Sequence, residues 1–241
     1  MRERINGLDA LRGLTLLSMI GYHTAWDLVW MFGVSWPWYH SFGAFVWQQS
    51  ICWTFIPLSG VCAGLGRHTL RRGVIVFLCG GLITAVTVGF MPENRVFFGV
   101  LSLLGACMIL TAALRPWLDG IPAPCGVAAS FALFAMSYQV PGRVFGWIAQ
   151  LPAWLYRNDL TACFGFPPPG FFSTDYFPLL PWVFLFWTGY HLRRLVRKPP
   201  RILMETRPPL LNVMGRRSLE IYMLHQPVIY ALLWLIFRGA A

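Results

Sequence analysis

The chain has 241 residues, of which 57% are hydrophobic and only 12% are charged. A soluble domain carries about twice that share of charged residues, and the mean hydropathy of +0.58 indicates a polytopic membrane protein. The apolar segments leave no room for a separate soluble domain, so we predict a single domain over residues 1–241. No small-residue cleavage site follows the first apolar segment, and we therefore expect no cleavable signal peptide.

Apolar segments recur along the whole chain, and several are long enough to cross about 30 Å of hydrocarbon. We predict seven membrane-spanning helices, near residues 8–30, 42–65, 73–90, 97–114, 124–140, 177–192 and 218–237. The predicted fold is thus an all-α, polytopic bundle of membrane helices. Residues 143–157 are too short and too interrupted for a further span, and we expect a re-entrant or interfacial helix there.

The formal net charge of +10 suggests nucleic acid or an anionic surface as a partner, but its distribution argues against nucleic acid. With a cytoplasmic N-terminus, 15 of the 19 Lys and Arg residues lie in predicted cytoplasmic segments and four lie outside. This bias follows the positive-inside rule. Membrane lipids are therefore the expected partners, and in a bacterium the location is the inner membrane.

The first predicted span carries four ionisable residues on one face. On a helix, Asp9, Arg12, His23 and Asp27 lie within an arc of roughly 60°. Charges inside a span are costly and usually mark a functional path. Asp27 follows His23 by one turn, and a carboxylate that accepts from one imidazole nitrogen leaves the other free to act as a base. Arg12 either pairs with Asp9 or anchors an anionic ligand.

The last predicted span offers a second polar face, on which Ser218, Tyr222 and His225 lie within about 60° of one another. We place His225 in the inner half of the membrane and His23 toward the outer side. Gly215 and Arg216 come just before this span. Because free N–H groups and the helix dipole favour anions, they predict a phosphate site. The alternative is a hydrogen-bond network between helices.

The predicted outer face holds candidates for binding a polar acceptor. Glu93, Asn94, Asp175 and Tyr176 supply polar groups, and Trp182 offers a ring that can stack on a sugar. Residues 141–176 are rich in proline and aromatic residues, which indicates an ordered lid rather than a disordered linker.

A histidine, a glycine pair and the cysteines lie outside the two polar helix faces and the predicted acceptor side. His40 lies outside the membrane or at its surface, and the sequence leaves open whether it belongs to a site. Gly60 and Gly64 predict close helix packing. The six cysteines form no pair at a metal-binding or redox spacing, so we expect no metal.

Five motifs follow one another along nearly the whole chain. They are Asp9-x-x-Arg12-Gly13 with His23 and Asp27, Phe55-Ile56-Pro57-Leu58-Ser59-Gly60, Phe98-Gly99-Val100-Leu101, the segment from Asp175 to Trp182, and Gly215-Arg216-Arg217-Ser218 continuing to His225-Gln226-Pro227. In order and spacing they resemble the bacterial relatives of heparan-alpha-glucosaminide N-acetyltransferase. The opening motif is also similar to the wider group of transmembrane acyltransferases that O-acetylate surface glycans.

The resemblance implies one transmembrane acyltransferase domain that moves an acetyl group from cytosolic acetyl-CoA to an amino sugar or glycan hydroxyl on the far side. His23 is then the general base or acyl carrier, supported by Asp27. Lysosomal members carry asparagine at the position of His23 and a histidine near that of His40, so His40 is the second candidate. The cofactor-binding residues implied for acetyl-CoA are Arg12, Arg67, Arg71, Arg72, Gly215, Arg216, Ser218, Tyr222 and His225.

Two other classes of function compete with this interpretation. A proton-coupled transporter for a small solute would use the same polar face of the first span as a relay. A non-catalytic membrane scaffold would use the polar faces only to pair helices. The sequence does not name the acceptor, the acyl group or the oligomeric state, and it is compatible with a homodimer. It also leaves open whether transfer is direct or passes through acetyl-histidine.

Overall fold

The computed structural model describes residues 5–196, 204 and 208–238. The predicted cytoplasmic N-terminus, residues 1–4, lies outside them. The chain divides into two compact units. We call residues 1–55 with 198–241 the terminal unit and residues 56–197 the central unit.

The terminal unit is built on the helix that carries the polar face. This helix, α1 (Asn6–Trp30), packs against α9 (Pro209–Arg216) and α10 (Ser218–Arg238). A Cβ atom on Gly215 would collide with the Asp9 carbonyl, and one on Gly13 would collide with the Leu211 carbonyl. Glycine at these two positions therefore allows the close approach of α1 and α9.

Two further elements join the terminal unit. A short 3-10 helix, Pro37–His40, follows α1, and helix α2 (Phe42–Leu65) begins in this unit. The Trp47 indole N–H donates to the Ser18 hydroxyl at 2.9 Å and ties α2 to α1.

The central unit contains the rest of α2 and six more helices. They are α3 (Thr69–Phe90), α4 (Val100–Ala113), α5 (Arg115–Gly120), α6 (Ala123–Ser137), α7 (Asp159–Ala162) and α8 (Leu179–Leu195). Helix α3 packs on α4, and α8 packs on both α6 and α4. A Cβ on Gly60 would collide with the Phe186 carbonyl of α8, which confirms the close packing predicted at that glycine. Gly64 faces the side chains of Arg193 and Tyr190 at ordinary contact distances.

Helices occupy all seven segments predicted to span the membrane, but fewer of them have the properties of a span. Among the described residues, three helical segments are long and apolar enough to cross a bilayer. They are α3 (Thr69–Phe90), Ala123–Gly142, which is α6 with the turn and 3-10 helix that follow it, and Ser218–Phe237 of α10. Helix α4 has 14 residues and α8 has 17. The chain is therefore an almost entirely helical protein with three candidate spans.

The expectation of a re-entrant or interfacial helix within residues 143–157 is wrong. Val144–Phe145 and Ala149–Gln150 pair as two antiparallel strands, β1 and β2, and Ala153–Tyr156 forms a 3-10 helix. The backbone reverses through positive φ angles of 60° at Gly146 and 62° at Trp147, which no helix accommodates. This hairpin is the one departure from an all-α fold in the described part of the chain.

The segment 141–176 is ordered, as its composition predicts. The Tyr156 hydroxyl donates to the Val140 carbonyl, and the Tyr176 hydroxyl donates to the Ala162 carbonyl at 2.6 Å. The Ser173 hydroxyl accepts from the Phe97 N–H at 2.9 Å and so ties the segment to the start of α4.

Candidate functional site

The polar face of α1 points toward the two C-terminal helices. At its N-terminal end, Arg12 lies 3.9 Å from the Asp9 carboxylate and donates to the Gly215 carbonyl of α9 at 3.2 Å. Of the two roles predicted for Arg12, the structure shows the ion pair with Asp9. The Arg12 guanidinium also links α1 to α9.

Further along α1, two histidines from opposite ends of the chain come together. The ring centroids of His23 and His225 lie 4.9 Å apart, with the ring planes tilted by 59°. The predicted separation of these residues, one toward the outer side and one in the inner half, is therefore wrong. Because α10 lies alongside α1, it brings His225 to the level of His23.

Asp27 is fully buried and is bonded to α10 rather than to its own helix. Its Oδ1 atom accepts from the Gln226 side-chain amide at 3.3 Å. Its Oδ2 atom has no hydrogen-bond partner among the residues that the structure describes. The predicted hydrogen bond from His23 to Asp27 is thus not formed, and the side-chain donor to this carboxylate is the Gln226 amide of α10.

The tautomer of His225 follows from its neighbours. Its Nδ1 atom lies 2.6 Å from the Tyr222 carbonyl oxygen, and a carbonyl can only accept, so Nδ1 carries the proton. In the neutral ring the Nε2 atom then holds the lone pair. Nε2 is buried and has no hydrogen-bond partner within residues 5–196, 204 and 208–238. His225 is therefore arranged as a base beside His23.

Aromatic residues enclose the pair on another side. The Tyr22 ring lies 6.2 Å from the His23 ring and 5.6 Å from the Tyr39 ring. Burial raises the pKa of Tyr39, and Tyr22 and the Asp27 carboxylate raise it further. The Tyr39 hydroxyl therefore stays protonated at neutral pH and can donate.

Five buried polar atoms of the terminal unit lack a hydrogen-bond partner in the described part of the chain. One of them, Asn212 Oδ1, lies on α9, and the other four belong to Asp27 and the residues around it: Asp27 Oδ2, Tyr39 Oη, His225 Nε2 and Gln226 Oε1. Buried polar groups are almost always hydrogen-bonded in proteins, and leaving one unpaired costs roughly 1–3 kcal/mol. Such a cluster is typical of a site that binds a polar ligand. Adjacent imidazoles with a carboxylate and a hydroxyl can move protons and attack a carbonyl carbon.

Not all of the predicted catalytic residues belong to this cluster. His40 is exposed at the end of the 3-10 helix, where its ring lies 5.7 Å from the Trp30 ring. It also contacts the ring of Tyr39, at 5.9 Å between centroids. His40 thus lies at the surface of the terminal unit.

The residues predicted to bind the donor are divided between the units. Arg12, Gly215, Arg216, Ser218, Tyr222 and His225 lie in the terminal unit, and Arg67, Arg71 and Arg72 lie in the central unit, exposed around the turn between α2 and α3. Gly215 is in the last turn of α9 and does not open α10, which begins at Ser218. Its N–H is therefore not one of the free donors at the start of α10.

Asp175 and Tyr176, predicted to bind the acceptor, hold the central unit together. Asp175 Oδ2 accepts from the Val100 N–H at 3.1 Å, at the N-terminus of α4. Burial raises the pKa of Asp175 to about 6, and the bond from Val100 opposes this shift. Burial also raises the pKa of Tyr176, whose hydroxyl donates to the Ala162 carbonyl.

The other three predicted acceptor residues differ in exposure. Trp182 is buried, with the rings of Phe177 at 5.2 Å and Phe134 at 5.6 Å. Glu93 is exposed, and the Asn94 carbonyl accepts from the Thr174 hydroxyl at 3.1 Å. Among these five residues, only Glu93 is exposed.

Little in the amino-acid sequence singled out Gln226 and Tyr39 as functional residues. Gln226 stands between His225 and Pro227 in the last of the five motifs, but neither its position nor the motif predicted a role for it. Tyr39 lies in a segment rich in tryptophan and proline that predicts no regular element. Within the described residues, no group of three or more His, Cys, Asp or Glu side chains could hold a metal ion.

Comparison with known proteins gives one finding. A family model described as heparan-alpha-glucosaminide N-acetyltransferase, catalytic, matches residues 4–227, which is nearly the whole chain and includes parts of both units. No curated protein and no solved structure gives a significant match.

Proposed function

The chain belongs to the heparan-alpha-glucosaminide N-acetyltransferase family, and from this premise we propose the reaction that it catalyses. The family consists of transmembrane acetyltransferases that use acetyl-CoA as donor. In our proposal an acetyl group passes from cytosolic acetyl-CoA to an amino sugar or glycan hydroxyl on the other side of the membrane. The observation that carries the proposal is the contact between His23 and His225 beside the buried Asp27.

His23 is the proposed reacting group, because it is only partly buried whereas His225 is buried. An unprotonated imidazole nitrogen can take a proton from the acceptor amine or hydroxyl as that group attacks the thioester carbonyl. It can also attack the thioester itself and carry the acetyl group as acetyl-histidine. Both routes break the C–S bond and release CoA.

The proposed binding groups follow from charge and position. Arginine side chains pair with phosphate groups, so Arg12 and Arg216 of the terminal unit are the proposed contacts of CoA. Arg67, Arg71 and Arg72 are the exposed basic residues of the central unit. Glu93 and Asn94, with Asp175 and Tyr176 before α8 and Trp182 in α8, form the proposed acceptor side. The N-terminus is proposed to be cytoplasmic. Membrane lipids surround the helices, and the proposal is compatible with a homodimer.

The test is acetyl transfer by the purified protein, reconstituted in lipid vesicles, from radiolabelled acetyl-CoA to glucosamine. Removing a general base or nucleophile costs about 10²–10⁴-fold in rate, so His23→Ala should abolish transfer while thermal unfolding stays cooperative. The matched variant His40→Ala should keep most of the activity. The reverse outcome would assign the reacting group to His40, and full activity in both variants would exclude both His23 and His40 as the reacting group.

The transporter remains the competing proposal, and one observation favours it. The fully buried Asp27 carboxylate, with one oxygen unpartnered among the described residues, resembles a proton-relay group. A transporter predicts proton-coupled solute uptake into vesicles in the absence of CoA. Uptake of that kind, together with no consumption of acetyl-CoA, would replace the enzyme proposal.

A further inference from the structure

We propose that His225 is the residue that accepts the proton His23 releases when His23 takes up the acetyl group. The inference rests on the proposed function and adds a second histidine with a distinct role. His225 acts through His23 and is therefore a positioning and proton-accepting residue, while His23 contacts the donor.

The geometry gives His225 the properties of a proton acceptor. The Tyr222 carbonyl fixes the proton on Nδ1, so Nε2 presents its lone pair. Nε2 is buried and has no hydrogen-bond partner in the part of the chain that the structure describes. The His23 ring is at contact distance, with 4.9 Å between the centroids.

The surroundings hold this arrangement in place. Gln226 follows His225 directly and is held by the hydrogen bond to Asp27 on α1. Among the described residues, the titratable groups that face His225 are His23, Tyr222 and, through Gln226, Asp27. Tyr39, on the 3-10 helix that follows α1, lies near Asp27. The Tyr222 ring, also on α10, contacts the His225 ring, with 5.2 Å between the centroids.

The chemistry needs such an acceptor. When a nitrogen of His23 attacks the thioester carbonyl, a C–N bond forms, the C–S bond breaks and the electron pair leaves with sulfur. The product ring is an acetylimidazolium, whose positive charge is costly away from water. Transfer of the remaining ring proton from His23 to His225 Nε2 leaves neutral acetyl-histidine. The protonated His225 then gives its proton to the CoA thiolate, so that free CoA leaves as the thiol.

In the second half of the reaction the acetyl group passes from His23 to the acceptor, and His23 and His225 return to their starting protonation states. The acceptor amine or hydroxyl attacks the acetyl carbon, a new bond to that carbon forms and the bond to His23 breaks. The departing imidazole takes up one proton, and the acceptor loses one. The net reaction transfers acetyl from sulfur to the acceptor and leaves both histidines as they began.

The experiment compares His225→Gln with wild type in the reconstituted transfer assay. Glutamine can still donate to the Tyr222 carbonyl but cannot take up a proton. We expect kcat to fall by about 10²–10³-fold and the KM for acetyl-CoA to change little. The pH dependence of kcat in the variant should also lack the titration of the His225 imidazole that wild type shows. His68→Gln, at an exposed histidine that is not among the proposed reacting or binding residues, is the matched control and should retain the wild-type kcat.

A second variant keeps the inference testable if glutamine disturbs folding. His225→Ala opens space for a small base, and imidazole at tens of millimolar should restore its rate roughly tenfold or more. A His225→Gln enzyme with wild-type kcat, or a His225→Ala enzyme that imidazole does not rescue, would overturn the relay. If wild type transfers acetyl and His23→Ala does not, the proposed function survives that result. If wild type does not consume acetyl-CoA, the proposed function fails first.

Discussion

Asp175 allows a quantitative test of the central unit. Its carboxylate accepts from the Val100 N–H at the start of α4, and burial raises its pKa from 3.8 to about 6. Between these two pH values the unfolded chain has released the proton while the folded chain retains it. The folded state therefore loses stability as pH rises through this window, and above pH 6 the loss is complete. This loss of folding free energy is on the order of 3 kcal/mol at neutral pH.

Asp175→Asn removes this ionisation but keeps an oxygen that can accept from Val100. Near pH 4, where Asp175 is protonated in the folded chain, we expect wild type and the variant to unfold at similar temperatures. At pH 7 the variant should unfold roughly 6–12 °C higher, from about 2–4 °C per kcal/mol for a chain of this size. The measurement is thermal unfolding in detergent micelles across this pH range.

A matched control is Asp159→Asn, whose carboxylate is exposed in the first turn of α7. The unfolding temperature of Asp159→Asn should not rise above that of wild type as the pH increases from 4 to 7. Parallel curves of unfolding temperature against pH for wild type and Asp175→Asn, or a wild type more stable than the variant at pH 7, would refute the assignment of a buried, costly carboxylate.

The same variant separates the structural role of Asp175 from its predicted role in acceptor binding. Unchanged KM for the acceptor would indicate a structural role, and a raised KM would indicate acceptor binding.

Two further predictions concern packing and polar contacts. A Cβ on Gly80 would lie 2.6 Å from a backbone nitrogen of α4, whereas one on the adjacent Gly81 would meet open space. Gly80→Ala should therefore destabilise by roughly 1–3 kcal/mol, and Gly81→Ala should be neutral or stabilise by up to about 1 kcal/mol, in the same unfolding assay. Equal effects of the two would contradict the close α3–α4 packing. Gln226→Met removes the donor to the buried Asp27 and should cost about 1.5–3 kcal/mol; an unchanged unfolding temperature would show that Asp27 does not depend on that bond.

Hydrophobic periodicity predicted much of the fold because most contacts that shape a helix are local. The predicted second span coincides with α2 at residues 42–65, and the first begins within two residues of α1. The polar face of α1 was also predictable, because helical spacing alone places Asp9, Arg12, His23 and Asp27 on one side. The hairpin was not, because it depends on a left-handed backbone at Trp147 that composition does not indicate.

The partners of the polar groups were harder to predict than the groups themselves. Spacing favours His23 for Asp27, since they are one turn apart, yet the observed donor is Gln226, 199 residues further along the chain. The same limit applies to His225, whose level relative to His23 depends on how α10 packs beside α1. One sequence predicts which face is polar, but the pairing across that face is set by long-range packing.

The most direct test of His23 as the reacting group is a structure of the protein bound to CoA, from which the distance between the CoA sulfur and the imidazole nitrogens can be measured. We predict that the sulfur lies within contact distance of His23, with His225 on the far side of that ring. A sulfur that instead lies beside His40, or remote from every histidine, would contradict it.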